Sequence, residues 1–270
     1  LYLNTISNST KTVIAKMKKL FLTAFGLAAT FASYAQLQPS KQTPQSSELW
    51  DPIPRIVTPG KASSMVSGFT APSDAIILFD GKNLDKWESA KAGNAPAPWT
   101  VADGAMTVAP RSGDIQTKET FGDYQLHIEW RTPAKVEGSS QGRGNSGVFM
   151  QGIYELQVLD SYNNRTYSNG QAGSIYKQTM PLVNAAVGPG EWQTYDVVYS
   201  APRFNKDGQM SIPPYITVIH NGVLIQNHTA IQGTTPFVGQ PTITPHGRGP
   251  IKLQDHNNTT SFRNIWIREL

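Results

Sequence analysis

Tyr124-Gln125-Leu126-His127-Ile128-Glu129-Trp130 alternates without a break: Tyr124, Leu126, Ile128 and Trp130 share one side, Gln125, His127 and Glu129 the other. A two-residue period is that of a β-strand with one buried and one wetted face. The signal recurs on both sides of this run. Tyr154-Glu155-Leu156-Gln157-Val158-Leu159-Asp160 sets Tyr154, Leu156 and Val158 against Glu155, Gln157 and Leu159, and residues 76–79, 148–150, 192–199, 215–220, 223–226 and 251–254 are further short apolar runs. Ala102-Asp103-Gly104-Ala105 and Asn221-Gly222 supply hairpin turns. Residues 261–270 are expected to alternate Phe262, Asn264, Trp266 and Arg268 against Arg263, Ile265, Ile267 and Glu269, closing the domain as an integral strand. Residues 182–186, between Pro181 and Gly188-Pro189-Gly190, read as a short helical turn. Many short strands, no long helix and no internal repeat predict one all-β domain over residues 73–270, a jelly-roll or β-sandwich of two antiparallel sheets.

The chain has 270 residues, no cysteine and a formal charge of +4, with 39% hydrophobic residues, enough for a core that needs no disulfides. The charge is not spread evenly. Lys11, Lys16, Lys18 and Lys19 fall in residues 1–35, which hold no acid, and the rest of the chain balances 19 basic against 19 acidic residues. A neutral body with no basic stripe argues against a nucleic-acid partner. Met17-Lys18-Lys19, the apolar residues 20–31 and Ser33-Tyr34-Ala35 have the three parts of a secretory signal, with cleavage expected after Ala35 and residues 1–16 upstream of it. The apolar run is too short for a transmembrane anchor. A secreted or periplasmic protein is expected. Residues 36–72, rich in Gln, Ser and Pro, read as a flexible or loosely packed arm that Trp50, Ile53, Ile56 and Val57 could pin.

Three strands carry polar side chains two residues apart: His127 and Glu129, Glu155 and Gln157, and Lys252, Gln254 and His256. In one curved sheet their wet faces would merge into a groove of acids, amides, a histidine and a lysine, suited to a hydroxyl-rich ligand such as a carbohydrate. The alternative is the ordinary solvated side of a sheet. The loop Gln141-Gly142-Arg143-Gly144-Asn145-Ser146-Gly147 offers Arg143 and Asn145 as donors over that groove. Asp160, His246, Arg248, Asp255 and His256 add acid, base or metal-binding groups but lack the short ligand spacing of a zinc site, and Asp80-Gly81-Lys82-Asn83 reads as a turn, so no cofactor is required while a divalent cation stays open. No Gly-x-Ser-x-Gly elbow and no phosphate loop opening a helix is present.

The stretches Leu78-Phe79-Asp80-Gly81-Lys82-Asn83-Leu84-Asp85-Lys86-Trp87, Gly144-Asn145-Ser146-Gly147-Val148-Phe149, Tyr154 to Asp160 and Gly249-Pro250-Ile251-Lys252-Leu253-Gln254-Asp255-His256, followed by Phe262-Arg263-Asn264-Ile265, resemble the 3-keto-disaccharide hydrolase domain family. The resemblance runs from about Ala75 to Leu270. It implies a concanavalin A-like jelly roll in an enzyme acting on 3-keto glycosides or 3-keto disaccharides. It also implies a hydrolase, or a lyase that abstracts the C2 proton and expels the C1 substituent, with hydration to follow. The family's recurring segments carry Asn145, Glu155, Gln157, Lys252, Gln254, His256 and Arg263; from their convergence on one face Glu155 and His256 are expected to be the catalytic pair, either one the base and the other the acid, with Arg143, Asn145, Gln157, Lys252, Gln254, Glu129 and Arg263 binding substrate. After Asp255-His256 this chain has Asn257-Asn258 where the family often continues with glycine. A carbohydrate-binding sandwich without turnover is the alternative of a different class.

Overall fold

The computed structural model describes residues 42–54, 56, 71–91, 93 and 95–270. The expected signal in residues 1–35 lies outside them. Two units divide the chain, residues 1–43 and 44–270, so residues 44–56 of the arm belong to the larger one.

Among its described residues that unit has fifteen strands: β1 (Ile76–Phe79), β2 (Trp87–Ser89), β3 (Thr100–Ala102), β4 (Ala105–Thr107), β5 (Ile115–Thr117), β6 (Tyr124–Arg131), β7 (Ser146–Met150), β8 (Tyr154–Val158), β9 (Gln193–Ser200), β10 (Arg203–Phe204), β11 (Met210–Ile212), β12 (Tyr215–His220), β13 (Val223–Ala230), β14 (Lys252–Leu253) and β15 (Ser261–Glu269). An eight-stranded sheet runs β13-β12-β9-β6-β15-β4-β3, with β1 also on β15, and a five-stranded sheet runs β2-β5-β14-β7-β8. A small β10-β11 ribbon stands apart. All strand pairings are antiparallel. The all-β, two-sheet sandwich expected from the alternation is the observed fold.

Both expected hairpin turns form. Asp103 and Gly104 stand at φ 51 and 73, Asn221 and Gly222 at φ 51 and 79, the two positive angles a two-residue hairpin needs. The core lies between the sheets. Tyr124, Leu126, Ile128 and Trp130 of β6 and Tyr195, Val197 and Tyr199 of β9 are buried on one side, and Ile115, Val148, Leu156 and Leu253 of the smaller sheet on the other. Two phenols tie the layers: Tyr195 Oη donates to Gln157 O at 2.8 Å and Tyr199 Oη to Gln151 Oε1 at 2.8 Å.

Two local expectations are corrected. β15 does not alternate strictly, because a bulge between Arg263 and Trp266, with Asn264 at φ 46, inserts one residue. Phe262, Ile265 and Ile267 therefore all face the core, while Arg263 and Trp266 face outward beside β6. Residues 182–186 form no helix; the only helices among the described residues are the 3-10 turns Pro44–Ser47, Ser140–Gly142 and Ser168–Gly170. Among the described residues no helix is long and apolar enough to cross a membrane.

Candidate active site

The outer face of the five-stranded sheet carries a lateral row set by register: Glu88 beside Gln116, Gln116 beside Lys252, Lys252 beside Phe149 and Phe149 beside Glu155. Gln157 lies beside Gly147 in the adjacent register, and Gln254 N donates to Gly147 O at 3.0 Å. Strand alternation thus brings Glu155, Gln157 and Gln254 together from β8 and the end of β14. They line a cavity of about 470 Å3 with Asn145, His256, Gln141, Phe149, Tyr167 and Tyr176. That volume falls in the range of about 300–1,000 Å3 usual for small-molecule sites.

Glu155 is the buried acid of the cavity, 4% exposed. Burial pushes its carboxyl up from 4.5 to about 8, against a partial pull from Lys252 and with a further push from Asp114. The surrounding amides hydrogen-bond to one another. Gln141 Nε2 is committed to Thr166 Oγ1 at 2.9 Å and Gly170 O at 2.8 Å, so Gln141 Oε1 needs a donor, and Gln157 Nε2 supplies it at 2.9 Å. With its amide turned the other way, Gln157 Nε2 donates instead to Glu155 Oε1 at 3.1 Å and to Ser146 O at 3.2 Å. A carboxyl raised to about 8 keeps its proton for the most part at pH 7.

Gly147 makes room for it. A Cβ at this position would stand 2.5 Å from Glu155 Oε1 and 2.9 Å from the Phe149 ring. Gly147→Ala is expected to swing the carboxyl away and lower kcat by at least about 100-fold, since misplacing a reacting group by about 1 Å costs that much. Steady-state kinetics beside a thermal melt check it: lost activity with a small melting shift is the expected pair.

Behind Glu155 runs the loop from Asp160 to Trp192, from which sequence reading took no site residue. Its residues 166–175 are buried rather than solvated, and β8 binds their backbone: Gly173 N donates to Gln157 O at 2.9 Å, and Gln157 N to Ser174 O at 3.0 Å. Tyr167 and Tyr176 from this loop face each other with their hydroxyls 2.6 Å apart. Burial raises both phenols above 10, and the nearby Glu155 charge adds to it. Both stay protonated, so one hydroxyl donates to the other and a second proton is left to point at a ligand. Gln254 Oε1, buried at the wall, has no hydrogen-bond partner among the described residues.

His256 sits exposed at the rim of the same cavity. The turn that carries it is held by Asp255 Oδ2, which accepts from Gly113 N at 3.0 Å. Asn257 takes φ 63, the left-handed conformation that glycine or asparagine adopts at least cost, so the departure from the family's glycine preserves the turn.

Other expected site residues lie elsewhere. Lys252 stands on the same face but outside the cavity, its Nζ 4.1 Å over the Phe149 ring and 3.7 Å from Asp114 Oδ2. Arg143 turns away: its Nε donates to buried Asp160 Oδ2 at 2.7 Å and its Nη2 to Tyr162 O at 2.9 Å, closing the loop instead of covering the groove. Glu129 and Arg263 belong to the opposite layer, on the outer face of the eight-stranded sheet. There Arg263 Nε donates to Glu129 Oε2 at 2.6 Å and Asn264 Nδ2 to Glu129 Oε1 at 2.9 Å, while His127 Nδ1 pairs with Asp196 Oδ1 at 2.7 Å. The three polar strand faces do not merge into one groove, because β6 belongs to one sheet and β8 and β14 to the other. Among the described residues no group of three or more His, Cys, Asp and Glu side chains is disposed to hold a metal ion.

Residues 74–268 match the family described as the 3-keto-alpha-glucoside-1,2-lyase-like domain. No curated protein matches the chain. A crystal structure of a provisionally named glycosyl hydrolase from Parabacteroides distasonis ATCC 8503 is 56% identical, covers 84% of this chain and 97% of its own, and superposes with a TM-score of 0.74. A second structure from the same organism, named likewise, is 20% identical over 73% of this chain and 94% of its own, with a TM-score of 0.51, and shares the fold. Over this sandwich, and with the match spanning most of its length, the chain belongs to the 3-keto-alpha-glucoside-1,2-lyase-like domain family.

Proposed function

We propose that this domain cleaves the glycosidic bond of 3-keto glycosides by elimination, with Glu155 as the general acid. The observation that carries the reading is a buried carboxyl held at about 8 in a cavity that it shares with a neutral phenol pair and the amides of Gln141, Asn145, Gln157 and Gln254. A ketone at C3 acidifies the proton on C2. His256 takes that proton, and the electron pair moves through C2 and C3 onto the ketone oxygen, where the free hydroxyl proton of the Tyr167–Tyr176 pair stabilises it. The enolate then collapses: the C1–C2 double bond forms, the C1–O bond breaks, and Glu155 gives its proton to the departing oxygen. The product is a 1,2-unsaturated 3-keto sugar, to which water can add afterwards. Asn145, Gln157 and Gln254 bind ring hydroxyls. Export to the periplasm or exterior, expected from residues 1–35, completes the reading and is checked by N-terminal sequencing of the native protein.

The test incubates the protein with matched native and 3-keto disaccharides, with and without chelator, and follows products by mass spectrometry. Conversion of the keto sugar alone, with an unsaturated product, is the expected result. Equal cleavage of the native sugar, or binding without conversion, overturns it; the second outcome leaves a carbohydrate-binding module. Loss of turnover with chelator adds a divalent cation to the reaction.

A further inference from the structure

One wall of the cavity is built by residues that precede the family-matched segment. Pro44, Gln45, Glu48 and Trp50 line it, and Thr235 and Phe237 stand in the lining with them. Trp50 is 44% exposed and Phe237 67%, two large aromatic side chains of the cavity lining left open to solvent. A lone exposed apolar residue needs no explanation, but two at the mouth of one concave site do.

The arm is fixed in place there. Leu49 N donates to Asn169 Oδ1 at 3.0 Å, Asn169 Nδ2 to Ser47 O at 2.9 Å, and Ser168 Oγ to Pro52 O at 2.6 Å. Trp50 meets Tyr167 edge-on, with ring centroids 5.9 Å apart, which ties the arm to the phenol pair. Lys177 joins the two aromatic segments. Only 8% exposed, it donates from Nζ to Pro44 O at 2.6 Å and to Phe237 O at 2.9 Å, with the Phe237 ring 4.7 Å away. One buried ammonium thus holds both lips of the mouth.

We propose that Trp50 and Phe237 form a second sugar subsite, which takes the ring on the leaving-group side of the cleaved bond in a disaccharide. The inference rests on the reading of this cavity as the site of 3-keto glycoside cleavage. The keto ring must reach buried Glu155, so the ring beyond the scissile bond lies toward the mouth. Pyranose rings present apolar C–H faces, and rigid aromatic side chains cover them at little entropic cost, while the hydroxyl edges stay wet. The arm therefore selects a disaccharide over a glycoside with a small aglycone.

The experiment compares KM and kcat of wild type, Trp50→Ala, Trp50→Phe and Phe237→Ala on a 3-keto disaccharide and on methyl 3-ketoglucoside. Each alanine variant should raise KM for the disaccharide about tenfold more than for the methyl glycoside, equivalent to about 1.4 kcal/mol, and Trp50→Phe should restore part of it. Equal changes on both substrates, or none on either, overturn the subsite. Calorimetric titration of the unoxidised disaccharide needs no turnover and separates this inference from the catalytic one. Wild type that binds it, with binding weakened about tenfold in Trp50→Ala, keeps the subsite even where no keto sugar is converted. Wild type that neither binds nor converts a disaccharide removes it.

Discussion

Glu155→Gln is expected to lower kcat on an unactivated 3-keto disaccharide by about 100- to 10,000-fold, the usual contribution of a general acid, and yet to make the protein more stable at alkaline pH. Glutamine keeps the shape of the protonated carboxyl, but has no proton to give a leaving oxygen. A leaving group that needs no proton should bypass the loss. With a 3-keto nitrophenyl glycoside the deficit should shrink to within about tenfold, and the fall in wild-type kcat/KM above pH 8 should vanish in the variant. An undiminished deficit on that substrate would remove Glu155 from the acid role.

The stability change has a defined pH window. The Glu155 carboxyl is raised from 4.5 to about 8 on folding, so between those values the folded chain holds a proton that the unfolded chain has lost. Stability therefore declines as pH rises from 4.5 and levels off above about 8. At about 1.4 kcal/mol per unit the shift amounts to several kcal/mol. Glu155→Gln abolishes this decline. Its melting temperature should match wild type near pH 5 and exceed it by at least about 4 °C at pH 9, given about 2–4 °C per kcal/mol in a domain of this size. An equal difference at both pH values would mean that the carboxyl is not perturbed.

The sequence carried the strands well and their layering poorly. Alternation states which side chains of one strand share a face, and for Glu155 with Gln157 it did so correctly. It is silent on which sheet a strand joins. His127 and Glu129 have the same spacing as Glu155 and Gln157, yet β6 pairs with β9 and β15 while β8 pairs with β7. In a sandwich both outer faces read as polar, so two faces pointing in opposite directions look alike. The bulge at Asn264 escaped for a related reason: one inserted residue shifts the period without leaving a composition signal. Tyr167, Tyr176 and Gln141 were missed because they stand on irregular segments whose course is fixed by distant partners such as Gly170 and Ser174, not by any local period. Two tyrosines and a lysine in an aperiodic Gly, Ser and Gln-rich stretch were the available signal.

Glu129→Gln should do the reverse of Glu155→Gln: destabilise the fold strongly and leave the chemistry alone. Burial would raise the Glu129 carboxyl, but His127, Asn264 and Arg263 together pull it from 4.5 down to about 2. Burial would likewise depress the His127 imidazolium, yet its hydrogen bonds to Asp196 and Glu129 raise it from 6.5 to about 9. The Glu129 contribution is present above pH 4.5 and lost as pH falls toward 2, and that of His127 is present below pH 6.5 and lost as pH rises through about 9. Both are complete between 4.5 and 6.5, where the difference between variant and wild type should be largest. Taking one charge from a buried, paired cluster costs about 3–5 kcal/mol, because the partners keep their desolvation penalty and lose the compensating charge. Glutamine retains the hydrogen-bonding shape, so a loss near about 3 kcal/mol, or roughly 6–12 °C in melting temperature, is expected at pH 6. Since Glu129 lies on the opposite sheet from Glu155, kcat and KM at 25 °C should stay within about twofold of wild type. A variant that melts like wild type but cleaves 3-keto glycosides about 100-fold more slowly would return Glu129 to the substrate groove and overturn the separation of the two polar faces.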